Sequence, residues 1–138
     1  MKTVFNSIIP FKGYKAMTVW PFIFVREECR DRYDATTQRH EAIHGEQQLE
    51  VGVIGIELAV AFLLAGYGWW SLLPVPLFFW WYLLEWIVKI PVHGFRLHEA
   101  YRAISFEREA YGHQDEKEYI TGRKHYAWLR YLYTKNKK

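Results

Sequence analysis

Five consecutive residues carry the most chemical information in this chain: His40-Glu41-Ala42-Ile43-His44. Histidines four apart on a helix project from one face about one turn apart, so both imidazoles can reach a single ion. A glutamate beside the first histidine lies close enough to act on a water held by that ion. The H-E-x-x-H pattern therefore points to a zinc site that activates a water, with His40 and His44 as metal ligands and Glu41 as the base that acts on that water. Catalytic zinc needs a third protein ligand and an open position for water. No histidine follows in Gly45-Glu46-Gln47-Gln48-Leu49-Glu50, so that ligand comes from a distant part of the chain. The candidates are Glu107, Glu109 two residues further on, and more remotely His93, His98, Glu99 and His113. The single cysteine, Cys29, excludes a cysteine-based zinc finger and an internal disulfide, and reads as a half-buried unreactive thiol.

The segment Phe106-Glu107-Arg108-Glu109-Ala110-Tyr111 gives the pattern a second half. Together the two segments resemble the gluzincin metallopeptidases. In their compact forms, and in the membrane CAAX-type peptidases, an H-E-x-x-H helix is followed after a long insertion by a Glu-x-x-Ala helix. The resemblance covers residues 40–44 and 107–110 and the apolar stretch between them. The chain is also similar to small bacterial membrane proteins that carry H-E-x-x-H before such a stretch. What this implies is Glu107 as third ligand, Zn2+ as cofactor and a peptide or protein as substrate. The CAAX-type pattern has an aspartate after the alanine, which supports a zinc-bound histidine, whereas this chain has Tyr111. Tyr111 lies one turn beyond Glu107 on the same face, where it can donate to a ligand or to an oxyanion.

These groups need elements to hold them. The chain has 138 residues, is 51% hydrophobic and 19% aromatic, and carries a net charge of +3, which excludes a disordered chain and gives no argument for nucleic acid. No Lys or Arg occurs between Arg39 and Lys89, and Val51–Val88 holds only Glu57 and Glu85 as charges. Two apolar runs, separated by a turn at Gly66–Ser71, predict a helical hairpin over about 51–90, each arm at the short end of what spans a ~30 Å hydrocarbon core. Pro74 and Pro76 fall near the start of the second arm, where proline is best tolerated. Lys and Arg crowd the outer flanks, so the positive-inside rule predicts an integral membrane protein with both termini cytoplasmic, and the similarity to bacterial membrane proteins implies the bacterial inner membrane. Trp69, Trp70, Trp80, Trp81 and Trp86 read as interfacial or lipid-facing. Glu57 and Glu85 pair within the hairpin or line a path to the site, and local hydrogen-bonded burial is the commoner role for such acids.

The expected fold is α+β and mostly helical, as a single domain over 1–138. A short β segment occupies 1–26, as a hairpin about Lys12-Gly13 or two short strands, with Pro21 placing the second at an edge or interrupting it. The H-E-x-x-H helix runs over about 37–50 behind the cap residues Asp34, Thr36 and Thr37, with Glu46, Gln47, Gln48 and Glu50 as its polar face. The third-ligand region covers 96–120, as one helix or two with Ser105 as a cap, and a short helix with a basic face covers 123–133. An edge strand somewhere in 17–25 is expected to pair with an extended peptide. Two functions follow: a membrane-embedded zinc metallopeptidase, or a non-catalytic membrane protein, metal-binding or not, that acts through a partner. The oligomeric state is left open by the sequence.

Overall fold

The computed structural model describes residues 1–133. Strands β1 (Lys2–Asn6), β2 (Ala16–Val19) and β3 (Phe22–Arg26) form one sheet in the order β1-β3-β2. Proline has no amide hydrogen to give to a ladder, and the apolar run 16–26 breaks at Trp20-Pro21 into an antiparallel pair with Thr18 opposite Ile23. β1 adds to the other side of β3 in parallel, Val4 opposite Phe24. The expected hairpin about Lys12-Gly13 is thereby corrected: the tight connection lies at Trp20-Pro21, and the first strand pairs with the third.

Asp34 starts the next element, its carboxylate accepting from the Thr37 amide at 2.8 Å. Helix α1 (Ala35–Leu64) then runs 30 residues without a break, about 45 Å. Gly55 is buried on it, and a Cβ there would stand 2.4 Å from the Pro74 carbonyl oxygen. Glycine thus lets the returning chain touch the helix backbone. The return begins with a 3-10 turn at Gly68–Leu72, and α2 (Leu77–Val92) starts only after the two prolines. At 16 residues, α2 rises about 24 Å, less than a ~30 Å hydrocarbon core. Among the described residues α1 alone is long and apolar enough to cross a membrane. The hairpin of two spans is therefore corrected to one long apolar helix with a shorter helix packed against it.

Three short helices follow: α3 (Leu97–Arg102), α4 (Ser105–His113) and α5 (Tyr119–Gly122). Ser105 is the first residue of α4 and not its cap; its amide and hydroxyl both donate to the Glu85 carboxylate of α2, at 2.8 and 2.6 Å. Glu85 itself serves that helix end, where an anion is favoured, and Lys89 pairs with it at 2.5 Å. Glu57 lies exposed on α1. In place of the expected helix over 123–133, the chain is extended at Arg123 and makes a 3-10 turn at Ala127–Tyr131. The core that seats α4 against α1 and α2 is Val51, Phe78, Ile104, Phe106 and Trp128. Phe78 and Phe106 stack at its centre, 4.5 Å between ring centroids.

Candidate metal centre

The first half of α1 is wedged between β2 and α4, so its polar residues are inside the protein. His40, Glu41 and His44 are all buried, and α4 delivers a buried Glu107 opposite them. His40 Nε2 and His44 Nε2 stand 3.2 Å apart. Glu107 Oε2 is 3.4 Å from His40 Nε2, and its Oε1 is 3.2 Å from His44 Nε2. Two ligands about 2.05 Å from one tetrahedral centre stand about 3.3 Å apart, so the three groups have the spacing of one face of a zinc tetrahedron. Among the described residues this is the one group of three or more His, Cys, Asp or Glu with ligand atoms so gathered.

The hydrogen bonds around the triad fix which atoms face inward. Gln47 Nε2 donates to the Phe106 carbonyl at 3.1 Å and to Glu109 Oε2 at 3.0 Å, both of which only accept. Its amide oxygen must then be the atom 2.8 Å from His44 Nδ1, which makes Nδ1 a donor and leaves Nε2 as the nitrogen that faces the triad. That nitrogen faces His40 Nε2 and the Glu107 carboxylate, an arrangement that favours a cation between them, a proton or a metal ion. His40 Nδ1 is 3.2 Å from Gln114 Oε1, which holds its ring in the same sense. Tyr82 on α2 donates to Glu107 Oε1 at 2.7 Å, while Glu107 Oε2 is buried without any hydrogen-bond partner. A buried carboxylate oxygen with no donor is costly, and a cation bound by the triad removes the cost. Burial alone would raise the Glu107 carboxyl, but the two imidazoles beside it, His44 first, hold it well below the usual carboxylate range. The residues present fit a zinc ion.

Glu41 lies on the adjoining face of α1. The Thr18 hydroxyl sits 2.9 Å from both the Glu41 carbonyl and Glu41 Oε2, so β2 fixes the side chain. Gln48 ties the two elements together, donating to the Thr18 carbonyl at 2.7 Å and accepting from the Trp20 amide at 2.9 Å. Tyr111 packs its ring on His40, 4.6 Å between centroids, with the Arg102 guanidinium 4.4 Å from its own ring centre. Burial and the Glu107 carboxylate push its phenol up, so it stays protonated at neutral pH.

The other ligand candidates have different places. Glu109 is fully buried and turned away from the triad, paired with Arg123 at 2.5 Å and hydrogen-bonded to Tyr119. His98 and Glu99 are exposed, and His113 is held by Glu116 and Tyr131. The residues read from sequence as a solvated polar face or basic face include the main supports of the site. Gln47 and Glu50 are buried, and Arg123 joins Glu50 to Glu109, its side chain only 3% exposed. Burial opposes the Arg123 charge, but its bonds to Glu109 and Glu50 raise the guanidinium above its ordinary value. A Gln three residues after the second histidine of H-E-x-x-H was the one available signal for the first of these, since i and i+3 share a helix face.

The arrangement of His40, Glu41, His44 and Glu107 matches the H-E-x-x-H…E zinc-binding arrangement of the gluzincins. No family model, curated protein or solved structure matches the chain.

Proposed function

We propose that the protein is a membrane-associated zinc metallopeptidase. The observation that carries this reading is the triad: three ligand atoms at tetrahedral spacing, one of them an orphaned carboxylate oxygen, beside a separately held Glu41. His40, His44 and Glu107 would hold the metal. Zinc bound there would lower the pKa of a coordinated water toward ~7 and polarise a peptide carbonyl. Glu41 takes the proton from the attacking water and passes it to the leaving amine. The Thr18 hydrogen bond keeps its carboxylate oriented through both transfers. The Tyr111 phenol, protonated and beside His40, is the candidate donor to the developing oxyanion.

The substrate backbone has a natural partner. Arg26 donates to the Lys15 carbonyl across β2 and β3, so alternate residues Ala16 and Thr18 direct their peptide groups away from the sheet. Gln48 occupies the Thr18 carbonyl. The Ala16 peptide groups and the Thr18 amide are left to align an extended peptide beside Glu41. The apolar second half of α1 supports insertion in a bilayer. Because α2 returns along α1, the two charged flanks lie at the same end of the apolar pair, and the absence of Lys and Arg between Arg39 and Lys89 favours the cytoplasmic side for both.

Bound zinc and peptidase activity, measured on three forms, test this reading. Wild type should hold about one zinc per chain and cleave peptides. Glu41→Gln should keep the metal and lose about 10²–10⁴-fold in turnover. Glu107→Gln should lose the metal itself. Wild-type protein that binds zinc but cleaves nothing in a diverse peptide library would instead be a non-catalytic metal-binding module. Protein that binds no zinc when metal-replete ends the proposal.

A further inference from the structure

A cavity of about 300 Å³ opens directly from the metal centre, with Glu41, His44 and Glu107 at its inner end. Its walls are almost wholly apolar. On one side stand Phe79, Leu83 and Trp86, spaced along one stripe of α2. On the other stand Ala16 and Met17 of β2, with Phe11 and Tyr14 from the loop before it. Phe79 and Leu83 are 41% and 43% exposed, so the α2 wall is continuous with the outer apolar surface of the molecule, including Trp80, Leu84 and Ile87. Phe11, at 82% exposed, is an apolar residue at the same mouth with nothing packed over it. The volume is too large for water alone to be a favourable filling of apolar walls, and falls at the lower end of ligand pockets.

We propose that this cavity is the specificity site of the peptidase: it takes one large aromatic or aliphatic side chain next to the scissile bond, and takes it from the apolar face of α2. The substrate class is then a peptide with a bulky apolar residue at the cleavage point, drawn from a segment that lies along the same apolar surface. The geometry leaves little choice of chemistry. The charged groups at the cavity, Glu41 and Glu107, are at its inner end and committed to Thr18 and Tyr82, so an acidic or basic substrate side chain would be desolvated against apolar walls without a partner. The free peptide groups of Ala16 adjoin the same cavity, so backbone pairing and side-chain insertion can occur together.

This inference rests on the metallopeptidase reading, and the experiment separates the two. Zinc-loaded full-length protein in phospholipid vesicles is titrated with peptidyl hydroxamates that differ only in the side chain beside the chelating group: benzyl, methyl or carboxymethyl. Benzyl should bind about ten- to a hundred-fold more tightly than methyl, and carboxymethyl most weakly. Ala16→Phe, which fills the cavity, and Leu83→Arg, which places a charge at its α2 mouth, should each abolish the benzyl advantage while retaining bound zinc. Equal affinity for benzyl and methyl in the wild type overturns the specificity site and leaves the metal centre standing. Loss of the advantage in Ala16→Phe but not in Leu83→Arg overturns entry from the α2 face. Failure of every hydroxamate to bind zinc-loaded protein overturns the open metal site, and this inference with it.

Discussion

Gln47 fixes which nitrogen of His44 faces the triad, because its own amide is locked by two acceptors, the Phe106 carbonyl and Glu109. Gln47→Met keeps the volume and removes the lock. Zinc affinity, measured by chelator competition, should fall about 10–100-fold with the helical content unchanged. Glu109→Gln should act differently. It leaves the three ligands in place but takes a charge from the buried Glu50–Arg123–Glu109 group, so zinc stoichiometry should persist while unfolding becomes easier by about 3–5 kcal/mol. Loss of the metal in Glu109→Gln would show that support of His44 passes through this carboxylate. At this scale the sequence is uneven. His40, Glu41 and His44 are legible because four residues of one helix set their geometry, and Glu107 because a second short motif repeats it. Arg123 is not: read locally it belongs to a basic run, and only its pairing with Glu50 of α1 and Glu109 of α4 turns it inward.

Elements stand or fall on their ends and their closest approaches. The Asp34 carboxyl is held below its ordinary value, chiefly by the Thr37 amide and then by the Thr37 hydroxyl. A depressed folded value means stabilisation that is present above the unfolded aspartate value of about 3.9 and is lost as pH falls through the folded one. Asp34→Ala should therefore melt below wild type at pH 7, with the gap narrowing as pH falls below about 3.9. A gap of the same size on both sides of that value would mean that the carboxylate does not act as the cap. Along α1, Gly52→Ala meets nothing within 4 Å and should be neutral or stabilise by up to about 1 kcal/mol. Gly55→Ala drives a methyl into the Pro74 carbonyl and should destabilise. Thermal melts of the pair should move in opposite directions. The sequence shows α1, since apolar and small residues at helical spacing continue from the cap onward. It misleads on α2, because apolar character starts at Leu72 while two prolines hold back the helix to Leu77.

The molecule as a whole presents two surfaces that want different surroundings. Every Lys and Arg lies within residues 2–39 or 89–138, whereas Val53, Ile56, Val60, Leu63 and Leu64 of α1 and Trp80, Leu84, Ile87 and Val88 of α2 are large apolar residues facing out. Exposed apolar area on this scale needs a bilayer or a partner. The protein should stay in the membrane pellet through an alkaline carbonate wash and leave it only with detergent; full recovery in the wash would point to a protein partner instead. The averages of the sequence conceal this division, since a mean hydropathy of −0.20 is that of a water-soluble chain. The distribution of charge reveals it.

α1 also works as a measuring rod. Its hydrogen-bonded ladder is unbroken from Ala35 to Leu64, so the imidazole of His44 sits about 30 Å along the axis from the helix end, with no hinge between. A site joined so stiffly to its anchor cannot reach up or down. In a bilayer it would act on bonds at one height only, and the cut would be located by distance as much as by side chain. Substrates with the same cleavable residue at increasing separation from their own apolar anchor should show a single sharp optimum in cleavage rate. A flat response across that series would mean that the rod does not set the height.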